Sequence, residues 1–191
     1  IKPCPILPPF HEATTVVLAP ASCPKPDRLR RGLEELGTLG FVPEVDNNMG
    51  QVKLDFELAG SDEHRFEALF GALTSVSGDL ILLARGGYGC GRLMERLWRE
   101  RDSIATALLR KPKLLVGFSD ATQLLSFFVF HLQYRAIHGP VVAGRFADTL
   151  SANERRSLDH ALLQGQEKQI EVDSDFDGVV NGVVFGGNLS I

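Results

Sequence analysis

The sequence has few cysteines, no excess of positive charge and no long hydrophobic run. Its three cysteines, Cys4, Cys23 and Cys90, are odd in number and lack the spacing of metal ligands, which favours a reducing compartment and no metal site. The net charge of −4 provides no basic surface for nucleic acid, and no apolar stretch approaches the roughly 20 residues that span a bilayer. Residues 1–10 also lack the basic and apolar regions of a secretion signal. We therefore expect a cytoplasmic protein whose partners include neither nucleic acid nor a membrane.

What the sequence does contain is a regular alternation of apolar strands and helical patterns. With 44% hydrophobic residues among 191, the chain can bury the core of one α/β domain and the beginning of a second. Strands that alternate with helices at this spacing form right-handed crossovers, so the predicted fold class is α/β, a doubly wound, mostly parallel sheet with flanking helices. The predicted strands are Val16–Ala19, Phe41–Val45, Leu80–Ala84, Leu114–Gly117 and Ala136–Ile137. The predicted helices are Asp27–Leu39, one that starts at Ser61, Arg92–Arg99, Ala121–Leu132 and Asn153–Leu163.

The segment Leu114–Thr122 carries the clearest chemical signal, because an apolar run ends in a Gly-x-Ser turn and a strongly apolar helical segment follows at once. That arrangement lifts the hydroxyl of Ser119 onto the carboxyl edge of the sheet, where an α/β hydrolase places its nucleophile. The backbone N–H of Asp120 would then face a developing oxyanion. The alternative is helix capping, by Asp120 with Gln123 or by Ser119 with Thr122.

A glycine-rich stretch, Arg85–Gly91, directly follows the buried strand predicted at Leu80–Ala84. Glycines at this place let the backbone approach a ligand closely, and one use is a cradle for the phosphate of a nucleotide. The stretch does not match the dinucleotide motif G-x-G-x-x-G, because Arg92 stands where the last glycine belongs. Lys111 likewise occupies the place of the acidic residue that binds a ribose.

The same glycines can serve a serine nucleophile instead. Gly86 or Gly87 would then donate an N–H to the oxyanion hole, and Arg85 or Tyr88 would bind a substrate carboxylate. A simple turn is the third interpretation of the glycine-rich stretch.

A serine nucleophile also needs a base. His138 is the local candidate, and its alternative role is a hydrogen bond to a loop. No acidic residue can be assigned to orient it.

Together these segments resemble the LD-carboxypeptidase family of serine peptidases, which includes muramoyltetrapeptide carboxypeptidases and the microcin C self-immunity peptidase. The resemblance implies a cytoplasmic enzyme of murein recycling that cleaves the L,D-peptide bond to terminal D-alanine in muropeptide tetrapeptides. It implies an acyl-enzyme on Ser119 and requires neither metal nor organic cofactor. A homodimer would fit this function. The matching segments are Leu18–Ser22, Ala59–Glu63, Ala84–Gly89, Gly117–Thr122, His138–Pro140 and Gly186–Ser190.

By matching position, the resemblance makes Ser119 the nucleophile and gives the oxyanion hole to the N–H of Asp120 and of a glycine in the Arg85 loop. It reduces His138 to a structural role, because the family's histidine and glutamate lie in a second domain. We therefore expect residues 1–148 to form the α/β domain with the nucleophile elbow. Residues 149–191 would be a linker and the start of an incomplete C-terminal domain, and this piece alone would be inactive.

Two other classes stay open at this point. The first is a nucleotide-binding α/β domain that uses Arg85–Gly91 for phosphate. The second is a non-catalytic interaction domain whose apolar segment Gly182–Ile191 docks on a partner.

Overall fold

A computed structural model describes residues 13–46, 49 and 57–164 of the chain. Some of the features singled out in the sequence lie outside these residues. They are Cys4, the segment Gly186–Ser190 that resembles the family, and the docking segment Gly182–Ile191.

Five parallel strands form one sheet in the order β2-β1-β3-β4-β5. Register pairs Val17 with Leu82 and Leu82 with Val116, and it places His138 opposite Gly117 at the edge. The strand order reverses direction between β1 and β3, and in sheets of this kind ligands usually bind at the carboxyl ends of the strands near such a point. The strands are β1 Thr14–Leu18, β2 Val42–Val45, β3 Leu80–Leu83, β4 Leu114–Gly117 and β5 Ile137–His138.

Helices cover both faces of this sheet, which confirms the doubly wound α/β fold. Four consecutive residues of β3 are fully buried. Ile81 and Leu83 pack with apolar residues from α2 to α5, whereas Leu80 and Leu82 pack with residues from α1 and α6. The helices are α1 Pro26–Thr38, α2 Asp62–Thr74, α3 Met94–Arg99, α4 Arg101–Arg110, α5 Thr122–Phe130 and α6 Ala152–Asp159. Within the described part of the chain, none of them is long and apolar enough to cross a bilayer.

The observed elements differ from the predicted ones mainly at two places. Helix α4 was not predicted, because only Ile104 and Leu108 are buried on it and its apolar pattern is correspondingly short. The helix predicted at Asn153–Leu163 is α6 continued by a π-helical turn over His160–Gln164. Leu158 of α6 packs in the same core as the sheet; the domain boundary at 148/149 stays a prediction.

Helix α6 begins with a reciprocal capping arrangement. The Ser151 hydroxyl accepts the Glu154 N–H at 3.3 Å, and Glu154 Oε2 accepts the Ser151 N–H at 2.9 Å. Arg145 also binds the Glu154 carboxylate through two nitrogens, at 2.6 and 2.8 Å. The guanidinium and then the serine bonds lower the pKa of Glu154 from 4.5 to about 2.

Replacing Glu154 with glutamine is expected to destabilise the fold at neutral pH and to have little effect near pH 2. A carboxyl whose pKa is depressed by folding contributes stability above its unfolded pKa, here 4.5, and loses that contribution as the pH falls through about 2. Urea unfolding of wild type and Glu154→Gln at several pH values measures the difference. Glu95→Gln, on the exposed surface of α3, is the matched control. A difference in unfolding free energy that stays constant over this pH range would contradict the assignment.

Candidate active site

Ser119 stands on a tight turn between β4 and α5. Its φ is +62°, a left-handed conformation that is uncommon for a residue with a side chain and costs about 1 kcal/mol or more. The turn continues into a 3₁₀ segment, Ser119–Ala121. A side chain at Gly117 would press against the Cβ of Ala121 at 2.8 Å and against Leu83 at 2.9 Å. This strand–turn–helix connection has the backbone form of a nucleophile elbow.

The Asp120 carboxylate is fully buried beneath this turn. It accepts the Cys90 N–H at 2.8 Å and the Gln123 side-chain amide at 2.8 Å, so it links the serine turn to the glycine-rich loop. Both residue pairs considered for capping are in contact: Asp120 with Gln123 through the bond just described, and Ser119 with Thr122, whose hydroxyl donates to the Ser119 carbonyl at 2.8 Å. Neither the 3₁₀ segment nor α5 has a side-chain cap at its start.

The glycine-rich loop after β3 lies against the serine turn. A Cβ on Gly86 would stand 2.9 Å from the Cβ of Ser119 and 3.4 Å from the Asp120 backbone nitrogen. Gly87, at φ +102°, has Ser22 on its other side, and a Cβ there would lie 2.4 Å from the Ser22 hydroxyl. The structure therefore brings together four of the residues predicted for nucleophile and oxyanion hole, and only glycine permits this approach.

A buried arginine that the sequence analysis did not single out supports these loops. The Arg65 side chain is fully buried, and it donates to the carbonyls of Pro20, Gly60 and Gly89. These carbonyls belong to the loop after β1, the approach to α2 and the glycine-rich loop. The available signal was its position four residues before Leu69, on the buried face of α2.

Arg85 and Tyr88, the two residues predicted to bind a substrate carboxylate, are both partly exposed to solvent. The Arg85 guanidinium donates to the Cys23 carbonyl at 2.7 Å and pairs with Glu57 at 3.3 Å, while one third of its side chain stays exposed. Tyr88 is 44% exposed. Tyr88 also interacts with Arg92: the hydrogen bond to Asp62, and as the second cause the one to Tyr88, raise the pKa of the Arg92 guanidinium. The substrate-binding roles of Arg85 and Tyr88 stay predictions.

Other candidate groups near the site have different environments. His138 is exposed at the end of β5, and its ring packs on Phe118 with centroids 5.0 Å apart. Burial, with Asp120 as a second cause, raises the pKa of the Cys90 thiol well above its usual value. A thiol held protonated is a poor nucleophile, so Ser119 is the better candidate for attack on a substrate.

The fold places this chain among α/β proteins whose sites form at the carboxyl ends of parallel strands. The profile of the LD-carboxypeptidase N-terminal domain matches residues 16–139, more than half of the chain. The chain therefore belongs to the LD-carboxypeptidase family, as its motifs led us to expect.

Curated relatives carry names that agree with this family. The chain is 34% identical to the murein tetrapeptide carboxypeptidase of Pseudomonas aeruginosa over 190 residues, which cover 94% of this chain and 59% of that protein. It is 29% identical to the probable murein peptide carboxypeptidase of Bacillus subtilis over 192 residues, with coverage of 93% and 55%. The chain thus spans somewhat more than half the length of these relatives.

Solved structures show the same fold. A microcin C7 self-immunity protein in complex with adenosine monophosphate superposes with a TM-score of 0.71 at 20% identity, covering 89% of this chain and 48% of that one. The muramoyltetrapeptide carboxypeptidase of Oxalobacter formigenes gives a TM-score of 0.65 at 23% identity, with coverage of 78% and 47%.

Proposed function

We propose that this protein is a serine carboxypeptidase that cleaves the L,D-peptide bond to terminal D-alanine in muropeptide tetrapeptides. One observation carries the proposal: Ser119 occupies a left-handed turn, and Gly86 and the Asp120 nitrogen lie directly beside it. Family membership and a relative named murein tetrapeptide carboxypeptidase support the substrate class.

In the proposed reaction the Ser119 oxygen attacks the carbonyl carbon before the terminal D-alanine. The N–H groups of Asp120 and of Gly86 or Gly87 receive the negative charge that forms on the carbonyl oxygen. D-Alanine leaves as the amine, and water then hydrolyses the acyl-enzyme on Ser119. In the proposal a histidine, oriented by a glutamate, takes the Ser119 proton and passes it to the departing amine; the family resemblance assigns both residues to a second domain of the full natural chain. The cytoplasmic location and the homodimer stay predictions.

The glycine-rich loop argues against the nucleotide-binding alternative. A phosphate cradle uses backbone N–H groups at the start of a helix, and here the N–H of Cys90 is bound to the Asp120 carboxylate at 2.8 Å. A phosphate at this place would have to displace or face a buried carboxylate. The arrangement therefore favours an oxyanion hole on the serine side of the loop.

Release of free D-alanine tests the proposed function. We expect the full natural chain to release D-alanine from a muropeptide tetrapeptide, and to leave intact the same peptide with terminal L-alanine. Residues 1–191 alone are expected to release none. Equal hydrolysis of both peptides by the full chain, or of neither, would contradict the proposal.

A further inference from the structure

We propose that Ser22 is a positioning residue that orients the Gly86–Gly87 peptide for the oxyanion hole. The inference rests on the proposed function and adds to it a residue in the loop after β1 that does not touch the substrate. Ser22 is 4% exposed and forms an antiparallel bridge with Leu58, so its backbone is held from both sides.

Ser22 bonds to the residues on either side of Gly87. Its N–H donates to the Gly86 carbonyl at 3.2 Å, and its hydroxyl oxygen accepts the Tyr88 N–H at 3.1 Å. The hydroxyl also lies 3.5 Å from the Tyr88 carbonyl, to which it can donate. One serine thus holds both peptide planes that flank Gly87.

The direction of the Gly87 N–H follows from the first of these bonds. A trans peptide directs its C=O and its N–H to opposite sides, and the described residues contain no cis peptide bond. The Gly86 carbonyl points toward Ser22, on the β1 side of β3, so the N–H of Gly87 points toward β4, the opposite neighbour of β3. Ser119 lies on that side, with its Cβ 2.9 Å from where a Gly86 Cβ would be.

The Ser22 side chain is needed because Gly87 is conformationally free. Glycine populates positive and negative φ about equally, so the observed φ of +102° depends on the surroundings. A Cβ added to Gly87 would lie 2.4 Å from the Ser22 hydroxyl oxygen, so this oxygen packs directly against the glycine. The same oxygen accepts the Tyr88 N–H. Without that oxygen the Tyr88 N–H loses its acceptor and the glycine peptides can rotate away from Ser119.

The test is Ser22→Ala in the full natural chain. The backbone bond to Gly86 remains, so we expect kcat for D-alanine release to fall by roughly 10- to 100-fold, less than the ~10²–10³ for loss of a whole oxyanion donor. KM should stay within about twofold, because the ground-state substrate makes little use of the oxyanion hole. A peptide boronic acid, which mimics the tetrahedral state, should lose affinity by the same factor as kcat/KM. Ser22→Thr, which keeps the hydroxyl, should restore most of the rate.

The matched control is Ser126→Ala, which removes a hydroxyl bonded to the Thr122 carbonyl within α5 and should leave kcat unchanged. Hydrogen exchange at the Tyr88 amide gives a readout that does not depend on activity, and we expect it to accelerate in Ser22→Ala. Wild-type kcat in Ser22→Ala, or unchanged exchange at Tyr88, would overturn the proposal. A fall in apparent kcat that is fully accounted for by the fraction of unfolded protein would overturn it as well. If the wild-type chain releases no D-alanine, the proposed function fails, and boronate affinity together with amide exchange still decides the role of Ser22.

Discussion

Replacing Ser119 with alanine is expected to abolish D-alanine release, with kcat lower by about 10⁴- to 10⁶-fold, as for other serine hydrolases that lose their nucleophile. The loss follows because no other described side chain at the turn offers an activated nucleophile; the Cys90 thiol is buried and its pKa is raised. Steady-state assays of the full natural chain with a muropeptide tetrapeptide measure it. Wild-type release by Ser119→Ala would contradict the assignment.

The same position separates activity from stability. At φ +62° a Cβ is unfavourable, so Ser119→Gly should be more stable than Ser119→Ala by roughly 1 kcal/mol, although both variants should be inactive. Urea unfolding measures the difference. Equal stability of the two variants would mean that the turn carries no strain.

Replacing Gly86 with alanine is expected to give the second largest loss. Its Cβ would stand 2.8 Å from the Phe118 carbonyl oxygen and 2.9 Å from the Cβ of Ser119, so the loop must move away from the serine turn. We expect kcat to fall by at least ~10²-fold, the effect of one oxyanion donor. The crowding should also lower the unfolding free energy by about 1–3 kcal/mol.

The matched control for Gly86→Ala is Gly71→Ala in α2. A Cβ at Gly71 meets nothing within 4 Å, and alanine is the better helix former by about 1 kcal/mol. This variant should therefore be fully active and somewhat more stable. Equal rates for Gly86→Ala and wild type would show that the loop does not form part of the site.

The sequence predicts the framework of this site because the framework depends on local patterns. Fully apolar runs such as Leu114–Gly117 identify the buried strands, and the turn that follows places Ser119 at the carboxyl edge. Glycines after Leu80–Leu83 identify the loop that must approach closely. Each of these signals occupies fewer than ten consecutive residues.

The contacts that hold the loops could not be predicted in the same way. Ser22 binds Tyr88 across 66 positions of the chain, and Arg65 binds Pro20 across 45. These bonds join side chains to backbone groups, which every residue possesses, so no residue pattern marks the partner. The role of Asp120 as a bridge to Cys90 depends likewise on the order of the strands.

Covalent trapping of the nucleophile in the full natural chain tests the role of Ser119 most directly. After reaction with a fluorophosphonate, peptide mass spectrometry should find one adduct, on Ser119, and an excess of muropeptide tetrapeptide should prevent it. An adduct on another residue in a chain that releases D-alanine, or D-alanine release that persists undiminished once Ser119 is labelled, would contradict the assignment of Ser119 as the nucleophile.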